Sequence, residues 1–299
     1  MTSVIQYATC PACGSSDIHH VLDAKDHTVS QKTFAIWECS RCTLRFTQDV
    51  PDEQSIGAYY QSENYISHSN TKKGIVNQLY HRVRERSLNN KRRLIKFHHH
   101  APGKPRLLDI GCGIGAFMHH MQKHGWEVEG TEPSADARAQ ATASFNLPIH
   151  PPEHLFFPGL GQFDVITMWH VLEHVHTLNE YMARMRELMR PDATLFIAVP
   201  NYTSYDARTY GEYWAAWDVP RHLYHFSPAS MRQFVKKHGF TLKAIEPMWY
   251  DSFYVSMLSE KYKSGGNGLL KGGLTGLLSN IKASSHKEHC SSLIYVIKK

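Results

Sequence analysis

The chain has 299 residues, 42% of them hydrophobic and 20% charged, enough to bury one substantial core and to carry a smaller second unit. No apolar run approaches the ~20 residues that span a bilayer, and the first twenty residues lack the basic-then-apolar order of a secretory signal, so no membrane span and a cytoplasmic location are expected. The formal net charge of +6 is local: Lys72 to Lys96 carries +8 and everything else sums to −2, which argues against a surface that attracts nucleic acid over its whole extent.

Residues 1–50 are turn-rich and cysteine-bearing, with strand-like pieces at Thr33 to Cys39 and Thr43 to Thr47. Cys10-Pro11-Ala12-Cys13-Gly14 and Cys39-Ser40-Arg41-Cys42 are two CxxC turns, each able to present two thiolates to one ion. Together Cys10, Cys13, Cys39 and Cys42 make a tetrahedral zinc site; a redox pair or four buried thiols are the alternatives. A closed four-thiolate site has no open coordination position, so this zinc is expected to fold the module, not to catalyse. Cys112 and Cys290 are isolated and read as structural.

Residues 51–102 read as a connector with Tyr59, Tyr60 and Tyr65, followed by a basic amphipathic helix. Ile75, Val76, Leu79, Tyr80 and Val83 recur at helical spacing, as do Leu94 and Ile95, while basic residues fill much of the other face. The helix ends near Pro102.

From 103 to 299 strand-like runs alternate with helical ones, the pattern of a parallel sheet covered on both faces. Strands are expected at Arg106–Ile110, Glu127–Thr131, Phe163–Met168, Thr194–Val199, Phe240–Ile245 and Leu293–Ile297. Helices are expected at about 115–124, 134–145, 178–190 and 227–239. An aromatic-rich insertion occupies 201–226. A second insertion is placed at 264–290, where the glycines of Ser264 to Asn280 suggest a flexible segment.

The run Leu107-Leu108-Asp109-Ile110-Gly111-Cys112-Gly113-Ile114-Gly115-Ala116 takes a buried strand into a glycine-rich turn and then a helix. Such a turn lets backbone approach a ligand and offers amides at the helix start. Glu132, 21 residues after Gly111, is placed to accept two ribose hydroxyls. The same spacing also satisfies a dinucleotide fingerprint if Ala116 is its third small residue, so these residues alone do not name the cofactor.

In motif order over 106–250 the sequence resembles the class I S-adenosylmethionine (SAM)-dependent methyltransferases. Leu108–Gly115 resembles their first motif, Glu132 their acidic second-strand motif, and Phe163 to Val175 their fourth-strand motif. Leu188-Met189-Arg190-Pro191-Asp192-Ala193 is similar to their LRPGG turn, with Asp-Ala in place of Gly-Gly. The resemblance implies a Rossmann-like, seven-stranded, mostly parallel α/β sheet preceded by a small zinc-ribbon module. It also implies SAM as cofactor, held by Asp109, Gly111, Gly113, Gly115 and Glu132. Trp169 and His170 would lie along its methionine, Glu153 near its adenine, and Tyr65 with the basic helix as a lid.

The segment Trp214 to Ser227 is the candidate acceptor site, being rich in aromatic and titratable groups near the expected active-site edge. His222, Tyr224 and His225 are the candidate catalytic residues, His222 being the first choice for a base, and Arg221 could clamp a phosphate or carboxylate. Arg221-His222-Leu223-Tyr224-His225-Phe226-Ser227 resembles a segment of SAM methyltransferases that act on small metabolites, lipids or nucleotide-linked sugars. Sugar C-methyltransferases also join a four-cysteine zinc module to this fold, but carry Glu where Arg221 stands and have a further C-terminal domain. The expected function is methyl transfer to a small molecule or a nucleotide-linked sugar or lipid. The alternatives are a zinc-ribbon nucleic-acid-binding protein or an RNA methyltransferase using the 72–96 helix.

Overall fold

A computed structural model describes residues 4–60, 75–100 and 103–299. Tyr65, expected over the cofactor, lies outside the described residues, as do Lys72 and Lys73 of the basic segment. In chain order the strands are β1 (Val4–Ile5), β2 (Ile18–Lys25), β3 (Thr33–Cys39), β4 (Arg45–Thr47), β5 (Val50–Pro51), β6 (Arg106–Ile110), β7 (Glu127–Thr131), β8 (Ile149–His150), β9 (Phe163–Trp169), β10 (Met189–Pro200), β11 (Tyr224–His225), β12 (Thr241–Pro247) and β13 (Ser292–Lys298). The helices are α1 (Ile75–His98), α2 (Ala116–Lys123), α3 (Ala135–Phe145), α4 (Leu178–Leu188), α5 (Tyr205–Tyr210), α6 (Pro228–Lys237), α7 (Asp251–Ser264) and α8 (Leu269–Ser285).

Seven strands form one sheet in the order β12-β13-β10-β9-β6-β7-β8. β6 pairs in parallel with both β7 and β9, and β7 pairs in parallel with β8. This is the mostly parallel Rossmann-like sheet expected from the sequence. Hydrophobic runs such as Leu107 to Ile110 and Val165 to Met168 are buried on both faces, which is why they read as continuous and not alternating.

The chain divides into two compact units. One comprises Ile66–Trp169, Ala183–Phe196 and Lys298–Lys299. Within it the buried side chains Leu107, Leu108, Phe117, Met118, Met121, Val165 and Ile166 belong to β6, α2 and β9.

The other unit comprises Met1–Tyr65, His170–Met182 and Ile197–Ile297. Here β2, β3 and β4 form an antiparallel ribbon, and β11 adds to its edge to give the order β11-β4-β3-β2. Its core joins Phe34 and Ile36 of the ribbon to Tyr202, Tyr210, Trp214 and Trp217. Aromatic residues of 201–226 are therefore core as much as loop.

Two sequence expectations are corrected. Residues 264–280 are not a flexible insertion, because α8 covers Leu269–Ser285. Gly272 and Gly276 lie where it crosses α7: a Cβ on Gly272 would meet the Met257 Cα at 2.4 Å, and one on Gly276 the Phe253 Cα at 2.8 Å. The glycines permit close helix packing, which outweighs their low helix propensity. The helix expected at about 178–190 ends at Leu188, and the turn resemblance at Leu188 to Ala193 falls at the start of β10, where Pro191 is exposed.

Candidate functional site

In the unit that holds the glycine motif, β6 delivers Asp109 and then turns sharply. Gly111, Gly113 and Gly115 all have positive φ, of 67°, 56° and 75°. At Gly115 the requirement is double, since a Cβ there would also lie 2.6 Å from Leu147 Cδ1. The Gly111 and Cys112 amides donate to the carbonyl of Thr131, tying the turn to the end of β7.

Glu132 is buried beside this turn. Its Oε2 accepts from the Gly113 amide at 2.9 Å and its Oε1 from the Ser134 amide at 2.9 Å. The carboxylate is thus fixed in orientation while each oxygen keeps a second acceptor position. Asp109 is buried, with Oδ1 accepting from the Thr167 hydroxyl at 2.5 Å. Burial pushes its carboxyl up to about 7, against the opposing pull of that hydrogen bond and of Lys91.

Trp169 ends β9 and packs edge-on to Phe117, with Lys91 Nζ 4.2 Å from its ring centroid. Its indole N–H is buried without a hydrogen-bond partner among the described residues. Two fixed acids, a glycine cradle and an orphan donor fit a ligand bearing an ammonium, a ribose and a carboxylate, the groups of SAM. In the sequence Lys91 is one of several basic residues on a helix face, and nothing in its spacing distinguishes it from its neighbours. Glu153 lies exposed on a short 3-10 turn, Pro152–Phe156. Close by in this unit, Glu129, His150 and His154 place one ligand atom each within 4.8 Å of one another.

In the other unit, His170 follows directly on β9 with a positive φ of 58°. Its Nε2 lies 2.9 Å from Asp251 Oδ2 and its Nδ1 3.2 Å from Glu173 Oε1. Burial disfavours the charged ring, but these two carboxylates overcome it and hold the His170 pKa up to about 10. Glu173 is fully buried; burial would raise its carboxyl, yet the His170 hydrogen bond and charge bring it below the usual range. Its Oε2 has no partner among the described residues.

His174 accepts from the Tyr60 hydroxyl or donates to the Arg221 carbonyl through the same Nδ1, at 3.0 and 2.9 Å. Burial and the nearby His222 lower its pKa to about 4. His222 is buried, its ring centroid 4.6 Å from that of His174. Its Nδ1 lies 2.9 Å from the Ala216 carbonyl, which can only accept, so Nδ1 donates there and in the neutral ring the lone pair is on Nε2, 3.9 Å from Asp218 Oδ2. Glu173, His174 and His222 bring one carboxylate and two imidazole ligand atoms within 4.8 Å, a set suited to proton transfer or to a divalent cation.

The remaining candidates are differently placed. Tyr224 and His225 form β11: the Tyr224 hydroxyl donates to the His176 carbonyl at 3.1 Å, and His225 Nε2 lies 3.0 Å from Thr47 Oγ1. Arg221 is not a free clamp. It is buried, with hydrogen bonds to Asp218 at 2.7 Å, to Asp26 at 3.1 Å and to the Tyr59 carbonyl at 3.0 Å. Asp251 and Asp26 were not anticipated, since single acids far apart in sequence give no pattern.

In the same unit the four N-terminal cysteines converge, all Sγ atoms lying within 4.8 Å of one another. Cys10 and Cys42 are 3.5 Å apart, as are Cys13 and Cys39. This is far beyond the ~2.05 Å of a disulfide and close to the separation of thiolates around one tetrahedral ion. The cluster offers the four thiolates that a tetrahedral metal site uses.

A family model described as a methyltransferase domain matches residues 79–245. The chain is 28% identical over 169 residues to a ubiquinone biosynthesis O-methyltransferase of Burkholderia thailandensis, covering 52% of this chain and 72% of that protein. It is 30% identical over 185 residues to the protein of the same name from Nitrosococcus oceani, covering 57% and 75%. Among solved structures, magnesium protoporphyrin IX methyltransferase from Synechocystis with bound SAH aligns over 83% of this chain and all of that one, with TM-score 0.53 and 13% identity. A SAM-dependent methyltransferase from Archaeoglobus fulgidus aligns over 72% and 94%, with TM-score 0.50 and 21% identity. At these identities the structural likeness concerns the fold.

Proposed function

The chain belongs to the class I SAM-dependent methyltransferases, and we propose that it methylates an oxygen of a small-molecule acceptor, free or carried on a nucleotide-linked sugar or a lipid. The names of the similar ubiquinone O-methyltransferases support a small acceptor and an oxygen nucleophile. Bound SAM supplies an electrophilic methyl group. Asp109, Gly111, Gly113, Gly115 and Glu132 would hold it, with Trp169 beside its methionine and Glu153 near its adenine.

The observation that carries the catalytic assignment is the His222 tautomer fixed by Ala216. A neutral imidazole with its lone pair on Nε2 can accept the acceptor's hydroxyl proton as the oxygen attacks. Glu173, buried and ionised, stabilises the imidazolium that results, as a carboxylate beside a catalytic histidine does. His170 and Asp251 act as positioning residues by holding Glu173 in place. Tyr224 and His225 contribute by fixing β11, the strand that follows the segment carrying His222. Zinc on Cys10, Cys13, Cys39 and Cys42 would act structurally, clamping a module at residues 1–50 ahead of the connector 51–102 and the catalytic region 103–299.

Purified protein supplied with SAM and a cell extract tests this reading. A metabolite gaining one methyl group on oxygen, detected by mass spectrometry, is the expected result. Methylation confined to RNA, or to carbon, would overturn the acceptor assignment.

A further inference from the structure

α8 is amphipathic in the wrong sense for a helix covering its own protein. Its inward stripe is Gly272, Gly276, Ser279 and Ala283, all buried, with the first two against the backbone of α7. Its large apolar residues are outside: Leu270 is 89% exposed, Leu274 58% and Ile281 56%, and Leu277 and Leu278 are also exposed. At about 100° per residue these five fall on one continuous arc opposite the small-residue stripe. Nothing among the described residues covers them. The exposed apolar area is on the order of several hundred Å², the size at which such patches mark binding surfaces.

The surroundings say what covers the arc. From Lys261 to Lys287 the chain contains five lysines and no Asp or Glu. Lys271 and Lys282 adjoin the apolar arc on α8, and Lys261 and Lys263 close α7. Trp249, Tyr250 and Tyr254 are exposed at the start of α7, and Asn280 of α8 donates to the Trp249 carbonyl at 2.8 Å. At the C-terminal end of α8 lies a cleft of about 270 Å³ lined by Arg208, Lys282, His286 and His289, cationic or protonatable groups suited to a phosphate. A second copy seated on this face by two-fold symmetry would set lysine against lysine. A leucine face rimmed by lysines and indole or phenol rings matches the interface of an anionic bilayer instead.

We infer that α8 and the start of α7 form a surface-docking site for anionic phospholipid membranes. The helix lies in the interface plane, with Leu270, Leu274, Leu277, Leu278 and Ile281 at the acyl boundary. Lys271 and Lys282 sit at headgroup level, and the basic cleft takes a lipid phosphate. No helix among the described residues is long and apolar enough to cross the membrane, so attachment is peripheral. The site is independent of the acceptor's identity.

Flotation of the full chain with phosphatidylglycerol/phosphatidylcholine vesicles, and with phosphatidylcholine alone, tests this. Binding to the anionic vesicles that weakens with salt is expected. It should drop at least ~10-fold in a Leu270→Ser/Leu274→Ser/Leu277→Ser variant and in a Lys271→Glu/Lys282→Glu variant. Both changes lie on exposed positions, and unchanged SAM affinity by calorimetry confirms that each variant is folded. Failure of the unaltered chain to float with anionic vesicles overturns the proposal, as does undiminished flotation of the leucine variant. Sedimentation showing a dimer that the leucine substitutions dissociate, with no vesicle binding, would assign the face to a second copy.

Discussion

The Nδ1 of His222 donates to the carbonyl of Ala216 across 2.9 Å, and this one hydrogen bond decides which imidazole nitrogen is available to a substrate. Replacement by Gln keeps a polar side chain but removes the titratable lone pair. His222→Gln is expected to lower kcat by roughly 10²–10⁴-fold while leaving the SAM dissociation constant unchanged. Retention of full turnover would remove His222 from the mechanism.

If Asp109 holds the SAM ammonium as proposed, it sets the pH dependence of cofactor binding. Its carboxyl, pushed up to about 7 by burial, must ionise to pair with the SAM ammonium, so affinity falls as pH drops through 7. About one order of magnitude is expected per pH unit below that point, measured by titration calorimetry. Asp109→Asn should abolish the pH dependence and bind weakly throughout. For the free protein the sign is opposite: a raised carboxyl favours the folded state at low pH, and that contribution is lost as pH rises through 7.

The Asp251–His170–Glu173 chain gives a second pH signature. With its pKa raised to about 10, His170 stabilises the fold fully below its unfolded value near 6.5, and that stabilisation disappears as pH rises through 10. Urea denaturation across this window should show stability declining in the unaltered protein but nearly flat in His170→Gln. The variant should also be weaker at neutral pH by about 2–4 kcal/mol, because Glu173 then stands buried without its partner.

Arg221 separates a structural from a substrate-binding role. Arg221→Met leaves Asp26 and Asp218 without their shared cation, and a loss of about 3–5 kcal/mol in stability is expected. A variant of unchanged stability but raised acceptor KM would restore the clamp reading.

For the cysteine cluster, mass spectrometry of the native protein should find one zinc per chain. Removal by a strong chelator, or Cys39→Ser, should lower the thermal midpoint without altering the composition of the SAM cradle. Absence of metal together with unchanged melting would refute the zinc assignment.

The elements around the cofactor motif were legible because each combines local signals. The strands Arg106–Ile110 and Glu127–Thr131 are found at the bounds read from the sequence, since a buried hydrophobic run and a glycine turn define both ends. β8 was invisible, being two residues long and too short for any periodicity. The glycines of α8 give no local helical signal, so the segment reads as loose from sequence. Their role depends on a second helix, and no window of α8 alone contains Met257 or Phe253.

What the sequence determined by itself was the cofactor side: a strand, a glycine turn and an acid at the next strand's end are contiguous or nearly so, and backbone sterics dictate their geometry. The CxxC pairs were equally readable, because thiolate spacing within a turn is local. Only the tertiary structure decided the fates of His170, Arg221 and His222. Each is a titratable side chain whose role depends on which groups 3 to 195 positions away share its burial, and desolvation makes those pairings decisive. Arg221 became a buried brace because Asp26 and Asp218 met it, and a backbone carbonyl decided which nitrogen of His222 donates.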